Sequence, residues 1–112
     1  MTKIRIDWEK PEITASGHAG GAPRGANIIC AGISAVTMAL LNTINQHMDK
    51  GNGFDYEIDE EKGYLHITAA PSALMRSRIM NYFEVAYYGL KALEQEYPEE
   101  IKIEEVQASG GV

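Results

Sequence analysis

Two residues in the segment ITASGHAGGAPRGANIICAGISA (13–35) have the types needed for covalent chemistry: His18 and Cys30, the chain's single cysteine. A thiol becomes a useful nucleophile when an imidazole can reach it and take its proton. The intervening stretch holds Gly20, Gly21, Pro23 and Gly25, and such a loop lets His18 fold back toward Cys30. Cys30 is expected in the first turn of a helix capped by Asn27. There the backbone N–H groups and the positive end of the helix dipole favour the thiolate. Ser34 lies four residues on, on the same helix face, as polar company for the sulfur.

Other chemistries fit the same residues less well. A lone cysteine in an apolar helix is often a small buried hydrophobe, and a glycine-flanked histidine is often an ordinary loop residue. The segment lacks the G-K-[ST] ending of a phosphate loop and the spacing of a dinucleotide fingerprint. An anion held at the helix N-terminus with help from Arg24 stays open. His47 and His66 share no ligand spacing with His18 or Cys30, so no metal site is expected.

The elements that must position these residues follow from periodicity. Thr2 to Trp8 alternates, with Ile4, Ile6 and Trp8 on one face, and Glu12 to His18 alternates again. The two strands are expected to pair around Glu9–Lys10–Pro11. From Asn27 the spacing of Ile29, Ile33, Val36, Leu40 and Ile44 becomes helical, ending before Gly51–Asn52–Gly53. Phe54, Tyr56 and Ile58, then Leu65, Ile67 and Ala69, predict a hairpin whose turn places Gly63 in the left-handed region. Pro71–Ser72 opens a second helix with Met75, Ile79, Tyr82 or Phe83, Ala86, Leu90 and Leu93 on one face, and Pro98 ends it. A last strand spans Ile101 to Val106. The order ββαββαβ predicts an α+β fold, an antiparallel or mixed sheet packed against two helices. Residues 1–107 are expected to form one domain and 108–112 a disordered tail.

Composition narrows the function classes. The chain has 112 residues, 45% hydrophobic and 23% charged, enough for one soluble domain with a real core. Ten basic residues against sixteen acidic ones give a net charge of −6, which argues against nucleic acid as a partner. The acidic residues crowd Asp55 to Glu61 and Glu94 to Glu105, a solvated surface or one that attracts a basic protein. One cysteine excludes an internal disulfide. No run of eighteen apolar residues and no leader-like start occurs, so a cytoplasmic protein with no membrane partner is expected.

The combination SGHAGG…GANIICAGISAV resembles the G-H-A, glycine loop, D-I-V-C-A-[AG]-V-S signature of the ribosomal-processing cysteine protease family, Prp. The resemblance extends over the whole chain and its order of elements. It implies an α+β homodimer without cofactor, acting on a protein substrate with a short apolar N-terminal extension. That substrate is the large-subunit ribosomal protein L-twenty-seven or, for phage-borne relatives, a capsid or scaffold protein. It further implies Cys30 as nucleophile and His18 as its histidine, with Ser34 and Asn27 in support and Gly20, Gly21 and Gly25 in a loop that orders over substrate. Where the family carries aspartate this chain has Asn27, which can cap the helix or orient an imidazole but brings no negative charge. A non-catalytic relative that binds a peptide or anion through the same loop and helix start is the alternative.

Overall fold

Alternation builds the first hairpin. β1 (Thr2–Asp7) turns its Ile4 and Ile6 inward and its Lys3 and Arg5 outward, and β2 (Glu12–Ser16) buries Ile13 and Ala15. The turn between them is tied by Asp7, whose Oδ1 accepts the backbone N–H groups of Glu9 and Lys10 at 3.0 and 3.2 Å. A computed structural model describes residues 1–17 and 28–106. The second strand stops at Ser16 rather than reaching His18, because Gly17 leaves extended geometry with φ +95°. The first stops at Asp7, and Trp8 belongs to the turn. The expected tail, 108–112, lies outside the described residues.

Helix α1 (Ile28–Asn45) buries Ile29, Ile33, Thr37, Leu40, Leu41 and Ile44 along one stripe. It is long and apolar enough by composition to cross a membrane, yet that stripe packs as a core helix does. β3 (Phe54–Asp59) and β4 (Tyr64–Ala69) form the expected hairpin, with Gly63 at φ +63°. α2 (Ala73–Glu96) follows Ser72, whose carbonyl accepts the N–H groups of Met75 and Arg76 at 3.0 and 2.9 Å. Phe83 is the residue of its 82–83 pair that enters the core, at 1% exposure. α2 gives way at Tyr97, just before Pro98, and β5 (Ile101–Val106) closes the chain.

The five strands lie in the order β3-β4-β2-β1-β5. β5 runs parallel to β1, with Ile103 beside Ile4, and every other pair is antiparallel. The sheet is therefore mixed, and the fold is α+β with both helices over one face. Its inner face presents Ile4, Ile6, Ile13, Phe54, Ile67 and Ile101 to the helices. The helices run in opposite directions and approach closely. A methyl added at Gly32 would stand 3.1 Å from the Leu93 side chain, and one at Gly89 would stand 3.2 Å from Val36.

The outer strands carry their own caps. On β3 the Tyr56 N–H is held by Asp55 Oδ1 at 2.8 Å, and the Phe54 carbonyl accepts Gly51 N–H at 2.7 Å. On β5 the Ile103 N–H donates to Glu94 Oε2 at 2.7 Å, while Lys91 Nζ donates to Glu94 Oε1 at 2.9 Å. Partial burial pushes the Glu94 carboxyl upward. The bonds from Lys91 and Ile103 outweigh that and hold it below the ordinary carboxylate value. A depressed folded pKa contributes stability above the unfolded value that is lost as pH falls through the folded one. Glu94→Gln is therefore expected to cost about 1–2 kcal/mol at neutral pH. The gap from the wild type should close in acid, as read from urea midpoints across pH.

Candidate active site

One end of the sheet gathers the start of the glycine-rich segment and the start of α1. β2 ends there at Ser16, opposite Tyr64 at the start of β4, and β1 and β5 both begin there with Thr2 beside Ile101. Gly17 N–H donates to the Gly63 carbonyl at 2.9 Å. A Cβ on Gly17 would stand 2.6 Å from the Met1 carbonyl oxygen, so glycine is required by space as well as by its positive φ. The segment that carries His18 thus leaves the sheet from a fixed point. Leu93, near the end of α2, packs on Gly32 and sets the start of α1 at the same end.

Cys30 is the third residue of α1, in its first turn, half-buried and packed against the core. Ile29 beside it is buried and Ile28 is 71% exposed, so the chain passes from solvent into the core within this turn. Cys30 is therefore neither fully sealed in the core nor a surface thiol. Ser34 lies one turn on, exposed, on the face shared with Cys30. The hydroxyl that α1 buries is that of Thr37, which donates to the Ile33 carbonyl at 2.8 Å. His18, Gly20, Gly21, Arg24, Gly25 and Asn27 lie outside the described residues. Of the expected site residues, then, the structure places Cys30 and Ser34 together on one helix face.

The other histidines are engaged elsewhere. His47 stacks on Tyr82 with ring centroids 5.6 Å apart and a 3.0 Å hydrogen bond between Nε2 and the phenol. His66 Nε2 meets Glu12 Oε2 at 2.8 Å on the open face of the sheet. Among the described residues no three His, Cys, Asp or Glu side chains gather as a metal site.

One polar cluster was not expected. Glu105 receives Trp8 Nε1–H at 2.9 Å and the Tyr87 hydroxyl at 3.0 Å. Burial, then the bond to Glu105, pushes the Tyr87 phenol above its ordinary pKa. Part of the signal was present in the strand pattern: Ile101, Ile103 and Glu105 share a face, so this exposed carboxylate lies on the helix side of the sheet.

The sequence pattern of the cysteine protease Prp family matches residues 1–102. The chain belongs to that family. It is accordingly a cysteine protease. No curated protein matches the sequence. Solved structures of Prp agree with the fold. The S. aureus ribosomal processing protease Prp with a covalently linked product peptide is similar at a TM-score of 0.79 and 24% identity, covering 95% of this chain and 100% of that one. The same S. aureus protease with a substrate peptide gives 0.75 and 23%, over the same shares. A Streptococcus mutans protein gives 0.71 and 21%, covering 96% of this chain and 93% of that one.

Gly51 offers a control for Gly17: it has φ +83° but nothing within 4 Å of an added Cβ. Gly51→Ala is expected to cost about 1 kcal/mol, the left-handed conformation only. Gly17→Ala should cost more, about 2–4 kcal/mol, because the Met1 backbone must also move. Thermal melts of the two variants compare them directly.

Proposed function

We propose that the protein is an endopeptidase that trims a short N-terminal extension from a ribosomal protein in the cytoplasm, working as a homodimer. The observation that carries this reading is the place of Cys30: a half-buried first-turn residue of α1 at the sheet end from which the His18 segment departs. Family membership and the peptide complexes of the similar S. aureus protease support it. The large-subunit protein L-twenty-seven is the favoured substrate, with a phage capsid or scaffold protein as the other candidate.

In this reading Cys30 Sγ attacks the scissile carbonyl as thiolate, forming a C–S bond. As the tetrahedral intermediate collapses, the C–N bond breaks and His18 gives its proton to the leaving amine. Water then adds to the thioester, passing a proton to His18, and the C–S bond breaks to release the acid. The N–H groups of the first turn of α1 are aimed toward the developing oxyanion, where losing one donor costs about 10² to 10³ in rate. Asn27 orients the imidazole through its amide in place of the family's aspartate, and Ser34 supports the sulfur from the next turn. Gly20, Gly21 and Gly25 let the segment between His18 and Cys30 close over a fitting peptide.

The homodimer has a candidate surface. An apolar groove of about 290 Å³ runs between the helices, lined by Val36, Ala39, Leu40, Tyr82 and Val85, with Val85 73% exposed. A second copy of the same groove is the occupant the family resemblance suggests. Val85→Glu should shift the chain toward monomer in light-scattering measurements at a matched concentration, and an unchanged mass would place the interface elsewhere.

The nucleophile is tested by iodoacetamide labelling of the single thiol. At about pH 6.5, near the ordinary histidine pKa, Cys30 is expected to react at least tenfold faster in the wild type than in His18→Ala, roughly the scale of general-base assistance or more. Equal slow rates would overturn the dyad. Cys30→Ala should abolish cleavage of an L-twenty-seven precursor while leaving the thermal midpoint within a few degrees, as expected for a change of about 1 kcal/mol. Residual cleavage would assign the chemistry to another group.

A further inference from the structure

The helix-facing side of β5 reads Ile101, Ile103, Glu105, so its apolar pattern gives way to an exposed carboxylate at the end of the strand. Both oxygens of Glu105 are fixed, Oε1 by Trp8 Nε1–H at 2.9 Å and Oε2 by the Tyr87 hydroxyl at 3.0 Å. These donors are neutral, so they orient the group without cancelling its charge. The nearby cations make their short contacts elsewhere, and Lys91 attracts Glu105 only through space. Lys91 Nζ sits on Glu94 at 2.9 Å, and Arg5 Nε faces Glu104 at 4.0 Å. Among the described residues, no lysine or arginine forms an ion pair with Glu105.

Two rings border this carboxylate and a third adjoins them. Trp8 and Tyr87 meet edge to face with centroids 5.3 Å apart, and Tyr87 and Tyr88 do so at 5.0 Å. Tyr88 is 63% exposed. A fixed carboxylate beside aromatic faces is a recognition surface for an ammonium or guanidinium group, which can use the carboxylate's remaining lone pairs and lie over a ring.

We propose that Trp8, Tyr87, Tyr88 and Glu105 form a docking site for a lysine- or arginine-rich segment of the protein substrate. This rests on the proposed function. A ribosomal protein is basic because it binds RNA phosphates, and this chain carries a net charge of −6. The placement fits such a substrate. β1 and β5 begin beside the α1 start and carry Trp8 and Glu105 away from it, across six paired residues, or about 20 Å at the usual strand rise. An extended segment of about six residues spans that distance. The cut site and the basic body of one substrate therefore engage opposite ends of the domain at once, and the second contact raises the effective concentration of the first.

Trp8 is the chain's single tryptophan and reports on the site directly. Cys30→Ala protein is titrated with an oligolysine peptide while Trp8 emission is followed. A saturable change is expected, weakened about three- to tenfold by Glu105→Gln and by Tyr88→Ala and absent with oligoglutamate. No saturable change, or equal binding by both variants, overturns the proposal. A signal that follows protein concentration rather than peptide gives the surface to a second copy and overturns it equally. The titration needs no turnover, so its failure is distinct from failure of the protease reading. In the cleaving enzyme, Glu105→Gln should raise KM for a basic protein substrate and leave kcat, and the cleavage of a short uncharged peptide, unchanged.

Discussion

The two helices meet closely at two glycines, where an added methyl would stand 3.1 and 3.2 Å from the facing side chains. Gly32 lies under Leu93 and Gly89 under Val36, so the depth at which α1 sits is set by how these two side chains pack on bare backbone. Everything at the Cys30 end depends on that depth. Ile29 and Ile33 reach the sheet core because α1 lies where it does, and Cys30 is left half-covered between them and solvent. A larger residue at either glycine would press on the Leu93 or Val36 side chain, which must give by a few tenths of an ångström or shift the helix.

Much of this architecture is legible in the sequence because it rests on two periods. Alternation identified the first four strands, and β5 matches its expected bounds at Ile101 and Val106. The 3.6-residue spacing of Ile29, Ile33, Leu40 and Ile44 identified the buried stripe of α1. What periodicity does not carry is direction and partner: nothing in I-K-I-E-E-V specifies a parallel pairing with β1. The choice between Tyr82 and Phe83 was also undetermined by spacing. It is resolved by chemistry, since the phenol of Tyr82 finds His47 at the helix margin and Phe83 has no polar group to satisfy.

The site was legible in another way. Cys30 in a first helical turn followed from the switch of period after the glycine-rich segment, and Ser34 on the same face followed from its spacing. The family resemblance then supplied the expectation that local physics leaves open, that His18 and Cys30 act together. The Glu105 cluster shows the opposite case. Glu105 is exposed, as its place in a charged run suggests, yet the pairing of β5 beside β1 also brings it to Trp8 and Tyr87. Buried polar side chains here, Thr37 and Asp7, have partners, as burial demands.

The capped outer strands have a consequence for life in solution. Sheet borders are templates for adding foreign strands, and proteins that leave them bare are prone to clump. Here side chains of the chain itself occupy backbone donors on both borders, Asp55 at Tyr56 and Glu94 at Ile103. A protease meets extended polypeptide as its daily business, and much of it is the wrong polypeptide. One backbone donor on each border is thus taken, which makes each edge a poorer template for a passing strand.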